Sequence, residues 1–215
     1  MSSADLPKSK PLKCVLVGPP KAGKTAFLVQ LIDQTFDQQY TATICTNFSK
    51  YKHTNNYYFD LWEVSGQFAG HLLPMYLRGA NIILLFVNPS SNGTNDWRVD
   101  FGQFFNAFSP RVSDLFHNSD LNNTPRVAFV CTHSDQPYVN IADLTEFQTQ
   151  LSETLKQPIP IFHVSCVDGL GINETISSLF DSPGSSADSH IMDSHIEVDN
   201  EEKEEKNEWR FCTIL

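Results

Sequence analysis

The chain has 215 residues, of which 40% are hydrophobic, and a formal net charge of −10 at pH 7. This length suffices for one α/β domain with a buried core and for tails outside it. Residues 1–180 hold 12 Lys and Arg against 15 Asp and Glu, whereas residues 181–215 hold 3 against 10. The body is therefore nearly neutral and lacks the basic face of a nucleic-acid-binding protein, so no nucleic-acid partner is expected.

The apolar runs and the cysteines argue against further classes. The longest apolar run, 82–87, is too short to span a bilayer, and the N-terminal stretch does not resemble a signal peptide. The five cysteines are odd in number and widely spaced, which argues against a disulfide framework or a Cys-x-x-Cys metal site. These features predict a reduced, cytosolic protein.

The first third of the chain contains patterns for one helix and three strands. Residues 1–11 are polar, with two prolines, and are predicted to be a flexible N-terminus. The apolar run 12–17 predicts a buried strand, and one apolar face along 25–34 predicts a helix. Two strand-like runs, 46–53 and 57–62, are predicted to pair through a short turn.

The rest of the body alternates strand and helix patterns. Predicted strands lie at 82–87, 127–130 and 161–165, predicted helices lie at 95–108, 141–155 and 171–180, and the polar stretch 109–124 is predicted to be a surface insertion. The apolar, partly β-branched strands are of the kind that is buried on both faces of a parallel sheet. This order predicts an α/β fold with a mostly parallel six-stranded sheet and helices on both faces.

A glycine-rich motif lies between the first predicted strand and the first predicted helix. The segment Gly18-Pro-Pro-Lys-Ala-Gly23-Lys24-Thr25 fits G-x-x-x-x-G-K-[ST], the phosphate-binding loop of P-loop NTPases. Its glycines let backbone N–H groups turn toward a polyphosphate, its lysine neutralises the phosphates, and its threonine hydroxyl holds Mg²⁺. The predicted phosphate-binding residues are Gly18, Lys21, Ala22, Gly23, Lys24, Thr25 and Ala26.

Five further segments resemble motifs of the Ras superfamily of small GTPases, and the resemblance covers roughly residues 12–180, the predicted G domain. They are Phe36, Tyr40-Thr-Ala-Thr43-Ile44 (switch I), Trp62-Glu63-Val-Ser-Gly66-Gln67 (switch II), Thr132-His133-Ser134-Asp135 and Ser165-Cys166-Val167. The Rab branch is the most similar, because Thr43-Ile-Cys-Thr-Asn-Phe48 is similar to its T-I-G-V-D-F. Tyr76-Leu-Arg-Gly-Ala80 likewise resembles its Y-Y-R-G-A.

The resemblance implies that the cofactors are GTP or GDP and Mg²⁺. The implied base contacts are Phe36, Thr132, His133, Asp135, Ser165, Cys166 and Val167. The Asp135 carboxylate accepts from two N–H donors on the guanine edge, an arrangement that adenine does not present. Thr25, Thr43 and Glu63 are the implied metal residues. Gln67 is the implied catalytic residue, which orients the attacking water, and Gly66 offers its N–H to the γ-phosphate.

Several residues depart from the family pattern. Glu63 stands in place of aspartate, so that its carboxylate, which would hold a Mg²⁺-bound water, lies one methylene further out. Pro20 stands where many relatives have glycine, close to the approach of a partner's catalytic arginine. His133 and Val167 each replace a lysine. These departures predict an atypical member with weaker nucleotide affinity and slow hydrolysis, and the alternative is a degenerate nucleotide-binding scaffold without turnover.

A nucleoside kinase is disfavoured, because it needs an arginine-rich lid. Only four arginines precede residue 181, namely Arg78, Arg98, Arg111 and Arg126, and they do not cluster in the sequence.

The C-terminal region predicts a tail and a lipid anchor. Residues 181–211 are rich in Ser, Asp and Glu and are predicted to be an acidic, disordered tail. The last four residues, Cys212-Thr-Ile-Leu215, fit the C-a-a-X prenylation motif, with Leu favouring geranylgeranylation of Cys212. No polybasic patch or second nearby cysteine accompanies it, so anchoring is expected to be reversible or partner-dependent.

The expected location is therefore the cytoplasmic face of a membrane, with a cytosolic pool. Effectors, an exchange factor and a GTPase-activating protein are the expected partners, through the switch loops. By resemblance the expected process is vesicle trafficking or signalling.

Overall fold

The computed structural model describes residues 10–39, 42–44, 46–53, 57–68, 72–90, 96–118 and 124–179. The predictions for the flexible N-terminus up to residue 9, for the turn at 54–56, for the acidic tail 181–211 and for the lipid site Cys212 lie outside the described residues. So does Tyr40 of switch I.

One six-stranded sheet forms the centre of the described chain, in the order β2-β3-β1-β4-β5-β6. Its strands are β1 (Leu12–Val17), β2 (Thr46–Lys52), β3 (Tyr58–Val64), β4 (Ile82–Val87), β5 (Arg126–Cys131) and β6 (Ile161–His163). β2 pairs antiparallel with β3, and the other neighbours pair in parallel. The predicted α/β fold, with a mostly parallel six-stranded sheet of the P-loop NTPase type, is confirmed.

The helices cover both faces of this sheet. They are α1 (Lys24–Asp33), α2 (Leu73–Leu77), α3 (Trp97–Asn118), α4 (Ala142–Leu155) and α5 (Ile172–Ser178). One core cluster joins α2, α3 and α4 to the sheet, and a second joins α1 and α5 to the opposite face. The central strand β4 shows why, because all six of its side chains are buried and alternate side chains enter the two clusters.

The prediction of a surface insertion at 109–124 is wrong for its first ten residues. The structure continues α3 through Asn118, with Pro110 inside the helix. Pro110 removes one helical hydrogen bond, but Phe101, Phe105, Phe108 and Val112 are fully buried at helical spacing on either side of it. Their burial stabilises the helix by several times the cost of one lost bond, at roughly 2 kcal/mol for each large apolar side chain.

The short helix α2 is absent from the sequence expectations. Its five residues are too few for a periodic pattern, and packing of buried Leu73 and Leu77 under α3 holds it. None of the helices in the described ranges has both the length and the apolar character needed to cross a membrane.

Candidate functional site

The glycine-rich loop connects the carboxyl end of β1 to the amino end of α1. Gly18 has φ 148° and Gly23 has φ 83°. A Cβ at Gly18 would lie 2.5 Å from the Phe86 carbonyl oxygen, and one at Gly23 would lie 2.9 Å from Thr132 Cγ2. Both positions therefore require glycine, for backbone conformation and for space.

Lys24 is folded into this loop. Its Nζ donates to the carbonyl oxygens of Gly18 at 2.9 Å and Pro19 at 2.8 Å, and the residue is only 6% exposed. Burial lowers the pKa of Lys24 from 10.5 to about 8, against the opposing attraction of the Glu63 carboxylate. The loop thus holds a buried cation whose charge an incoming anion would stabilise.

The two prolines of the loop contact switch II. A Cβ at Gly66 would lie 2.4 Å from the Pro20 nitrogen and 2.5 Å from the Pro19 carbonyl carbon. Gly66 is thus required by this close approach of two backbones. Neither proline carries an N–H, so the loop presents fewer amide donors than a glycine-rich version would. The following residue, Lys21, adopts φ 62°, a left-handed conformation that costs a non-glycine residue about 1 kcal/mol.

Three predicted metal residues from three different segments converge in the structure. The Thr25 hydroxyl donates to Glu63 Oε1 at 2.5 Å, the Thr43 hydroxyl donates to the same oxygen at 3.1 Å, and the two hydroxyl oxygens are 3.1 Å apart. Glu63 is 1% exposed. An all-oxygen donor set containing one carboxylate is of the kind that Mg²⁺ prefers, so the residues present fit this ion.

Asn47 completes this cluster and was missed by the sequence reasoning. Its Nδ2 donates to Glu63 Oε2 at 2.9 Å. Asn47 and Glu63 are paired residues of the antiparallel β2–β3 ladder. The predicted hairpin contained part of this signal, because extending its second strand one residue beyond the predicted end at 62 places the Asn47 amide opposite the Glu63 carboxylate.

Thr132 joins the predicted base-binding loop to the phosphate-binding loop. It is fully buried, and its hydroxyl oxygen lies 3.2 Å from the carbonyl oxygens of Ala22 and Val87 and 2.9 Å from His133 Nδ1. His133 adopts φ 60°, and burial lowers its pKa while Asp135 opposes the shift. Thr132 therefore has a structural role, because it links these two loops from a buried position.

The second predicted base loop packs beside the first. The Ser134 N–H donates to the Val164 carbonyl oxygen at 3.1 Å, which links the two loops. Ser165 and Cys166 are buried, and Val167 is 53% exposed. Burial, with the nearby Asp135 and Asp168 carboxylates, raises the pKa of the Cys166 thiol to about 12, so this part of the wall is uncharged at neutral pH.

One cavity of about 760 Å³ brings most of the predicted residues together. Lys21, Ala22, Gly23, Lys24, Thr25, Ala26, Phe36, Thr43, Glu63, Gly66, Gln67, His133, Asp135, Cys166 and Val167 line it, whereas Gly18, Thr132 and Ser165 do not. These last three are buried. The cavity is within the size range of cofactor pockets and lies at the carboxyl edge of the parallel strands, where ligands of such sheets bind.

Comparisons with known proteins agree with this arrangement. The family described as "Roc: Ras of Complex, Roc, domain of DAPkinase" matches residues 13–110. The chain is 29% identical over 102 residues to Ras-related protein Rab-28 of Caenorhabditis elegans, an alignment covering 45% of this chain and 41% of that protein. It is 26% identical over 176 residues to Ras-related protein Rab7 of Pisum sativum, covering 78% of this chain and 80% of that protein.

A solved structure shares the fold. The Arl6 BBS3 small GTPase of Trypanosoma brucei, solved with the bound nucleotide analogue GppNp, superimposes with a TM-score of 0.59 at 20% identity. The superposition covers 80% of this chain and 97% of that one. The sequence matches, the motif order and the shared fold together support a relationship of this chain to the Ras superfamily of small GTPases.

Proposed function

We propose that this chain binds GTP and GDP with Mg²⁺, hydrolyses GTP slowly and acts as a membrane-associated molecular switch. The observation that carries the proposal is that one cavity is lined by the buried Lys24, by Thr25, Thr43 and Glu63, and by Asp135. A nucleotide needs both kinds of contact, cationic and amide donors for its phosphates and a carboxylate for a guanine edge.

Lys24 and the loop amides bind the phosphates in this proposal. Lys24 Nζ exchanges the carbonyl oxygens of Gly18 and Pro19 for phosphate oxygens, which carry full negative charge. The amides of residues 21–26 and the amino end of α1 add further positive potential. Because Pro19 and Pro20 carry no N–H, we expect this loop to bind the phosphates more weakly than a loop in which every residue has an amide N–H.

The base is recognised by Asp135, with Phe36 as a flat apolar contact and the Cys166 N–H as a donor to the guanine oxygen. Phe36 is 38% exposed, so covering it with a base removes apolar surface from water. His133 takes the place of a lysine stem and is held through its Nδ1 by Thr132.

Thr25, Thr43 and Glu63 hold the Mg²⁺ in this proposal, directly or through water. Bound Mg²⁺ supplies charge neutralisation at the phosphate oxygens during phosphoryl transfer. Gln67, whose side chain is exposed at the cavity, orients the water, and the Gly66 N–H detects the γ-phosphate. The contact of Gly66 with Pro20 restricts this region, which is our reason for proposing slow turnover.

Titration calorimetry with GDP, GTP and ATP in the presence of Mg²⁺ tests nucleotide binding. We expect GDP and GTP to bind at least 100-fold more tightly than ATP, because adenine leaves the Asp135 carboxylate without donors. Equal affinity for ATP would contradict the guanine assignment.

A second candidate is a nucleotide-binding scaffold without turnover, which the close packing of Gly66 on Pro20 favours. Single-turnover phosphate release from wild type and Gln67→Leu separates the two. A wild-type rate that falls at least tenfold in the variant supports the switch. Unmeasurable release from both proteins, with GTP retained, supports the scaffold.

Membrane attachment through a prenyl group on Cys212, action in vesicle trafficking or signalling, and the effector, exchange-factor and activating partners are parts of the same proposal. They rest on the C-a-a-X sequence and on the family. Fractionation of wild type against Cys212→Ser tests the anchor, and the same membrane distribution for both proteins would remove it.

A further inference from the structure

Three oxygens of the Glu63 cluster form a small triangle. Its corners are Glu63 Oε1 and the hydroxyl oxygens of Thr25 and Thr43, and its edges measure 2.5, 3.1 and 3.1 Å. Octahedral Mg²⁺ has its ligands at about 2.1 Å, which places neighbouring ligands about 3.0 Å apart. Two of the three edges therefore match the spacing of one face of a Mg²⁺ octahedron, and the edge between Thr25 and Glu63 is about 0.5 Å shorter.

The glutamate side chain explains why its oxygen reaches this third corner. Glu63 lies on β3, and its carboxylate extends one methylene further than an aspartate at the same backbone position. Glu63 Oε1, at 2.5 Å from the Thr25 hydroxyl oxygen and 3.1 Å from the Thr43 hydroxyl oxygen, is close enough to both to share an ion with them. A carboxylate withdrawn by one methylene, about 1.5 Å, leaves space there for a water. A glutamate at position 63 can thus reach the ion itself, whereas an aspartate there would reach it through a water molecule.

Asn47 fixes which carboxylate oxygen faces the hydroxyls. Its Nδ2 donates to Glu63 Oε2 across the β2–β3 ladder. The other carboxylate oxygen, Oε1, therefore faces the hydroxyls of Thr25 and Thr43. Both side chains are held by backbone pairing, and Glu63 is buried. Residues that orient a ligand in this way commonly change metal affinity by about 10- to 100-fold when they are removed.

We propose that Glu63 Oε1 is a direct ligand of the Mg²⁺, in a position that a water molecule otherwise fills, and that Asn47 is the positioning residue that aims it. This inference rests on the proposed nucleotide binding and deepens it. We therefore expect the bound Mg²⁺ to hold one fewer water molecule than it would hold in the same site with aspartate at position 63.

Electron paramagnetic resonance of the full-length, GppNp-loaded protein with Mn²⁺ in place of Mg²⁺ tests the ligand directly. Line broadening in ¹⁷O-enriched water counts the metal-bound waters, and we expect one fewer in wild type than in Glu63→Asp. Equal counts overturn the inference. Because Glu63→Asp alters a buried residue, wild type labelled with ¹³C at its glutamate carboxylates provides a second measurement, in which a strong Mn²⁺–¹³C coupling is expected and its absence is contradictory.

The role of Asn47 has its own measurement. We expect Asn47→Ala to weaken Mn²⁺ binding to the GppNp-loaded protein about tenfold and to restore the additional water, while Lys50→Ala, an exposed change on the same strand, does neither. Wild-type affinity and water count in a folded Asn47→Ala protein overturn the positioning role. A wild-type protein that retains no GppNp overturns the proposed function itself. Retention of GppNp with unchanged water counts in the variants overturns only this inference.

Discussion

The buried lysine of the phosphate-binding loop makes nucleotide affinity depend on pH in a calculable way. In the protein without nucleotide, burial holds the pKa of Lys24 at about 8, against 10.5 in its unperturbed state. That difference corresponds to about 3 kcal/mol of cost for keeping Lys24 charged. A bound polyphosphate favours the charged form and raises the pKa again, so binding takes up a proton wherever the free protein has lost it.

The size and sign of the effect follow from these values. Well below pH 8 Lys24 is charged before and after binding, so affinity is insensitive to its titration. Well above pH 8 the charged fraction of Lys24 in the free protein approaches a tenfold fall per pH unit, and affinity falls with it. Between pH 7 and pH 9 we expect a loss of about tenfold, with most of one proton taken up per GDP bound at pH 9.

Titration calorimetry in buffers of different ionisation enthalpy measures both affinity and proton uptake. Lys24→Arg is the matched control, because arginine stays charged over this range. The variant therefore lacks the pH dependence that comes from residue 24 and keeps any that comes from titration of the guanine base. A wild-type affinity that is constant from pH 7 to pH 9, or a decline of the same size in Lys24→Arg, would refute the assignment of a buried, partly deprotonated lysine.

Three further predictions address other parts of the structure. Asp135→Ala should weaken GDP binding by about 100-fold, at about 1.4 kcal/mol per tenfold, and leave ATP binding unchanged in calorimetry; an equal loss for both nucleotides would argue against base selection. Lys21→Gly should raise the free energy of unfolding of the nucleotide-free protein in urea by up to about 1 kcal/mol, because it relieves the left-handed φ of 62°. The greater freedom of glycine in the unfolded chain opposes this gain. A loss of more than about 1 kcal/mol would contradict the presence of strain at Lys21. Phe108→Ala should lower that free energy by about 3–5 kcal/mol, since Phe108 is fully buried in α3, whereas a change below 1 kcal/mol would mean that this face of α3 does not pack in the core.

Much of the fold follows from local patterns in the sequence. Strands β1 and β4 have the predicted bounds, because a short apolar run, interrupted in β1 only by Lys13, leaves a buried parallel strand few alternatives. The phosphate-binding loop was predictable for a similar reason, since Gly18 and Gly23 are required by backbone geometry as well as by chemistry.

The errors arise where tertiary contacts outweigh local signals. Pro110 and its polar neighbours read as an insertion, but the aromatic side chains of α3 pack against the sheet and against one another, as in the Phe104–Phe108 ring pair. The helical spacing of buried side chains continues from Phe108 to Val112, but a proline between them in the sequence is by itself a signal for the end of a helix.

The candidate site was predicted residue by residue, but its connections were not. The role of Asn47 depends on the strand register, which pairs it with Glu63. Thr132 was expected to contact the base, and in the structure its buried hydroxyl donates to the Ala22 carbonyl oxygen. Hydrogen bonds between segments more than a hundred residues apart in sequence depend on the assembled fold and leave no local pattern.

Mass spectrometry of the nucleotide released from freshly purified, full-length protein tests guanine-nucleotide binding most directly, because it reports base identity and phosphate number together. We expect guanosine nucleotides, mainly GDP with a measurable GTP fraction, at near one equivalent per chain. Release of no nucleotide, followed by failure to load GDP or GTP in the presence of Mg²⁺, would contradict it.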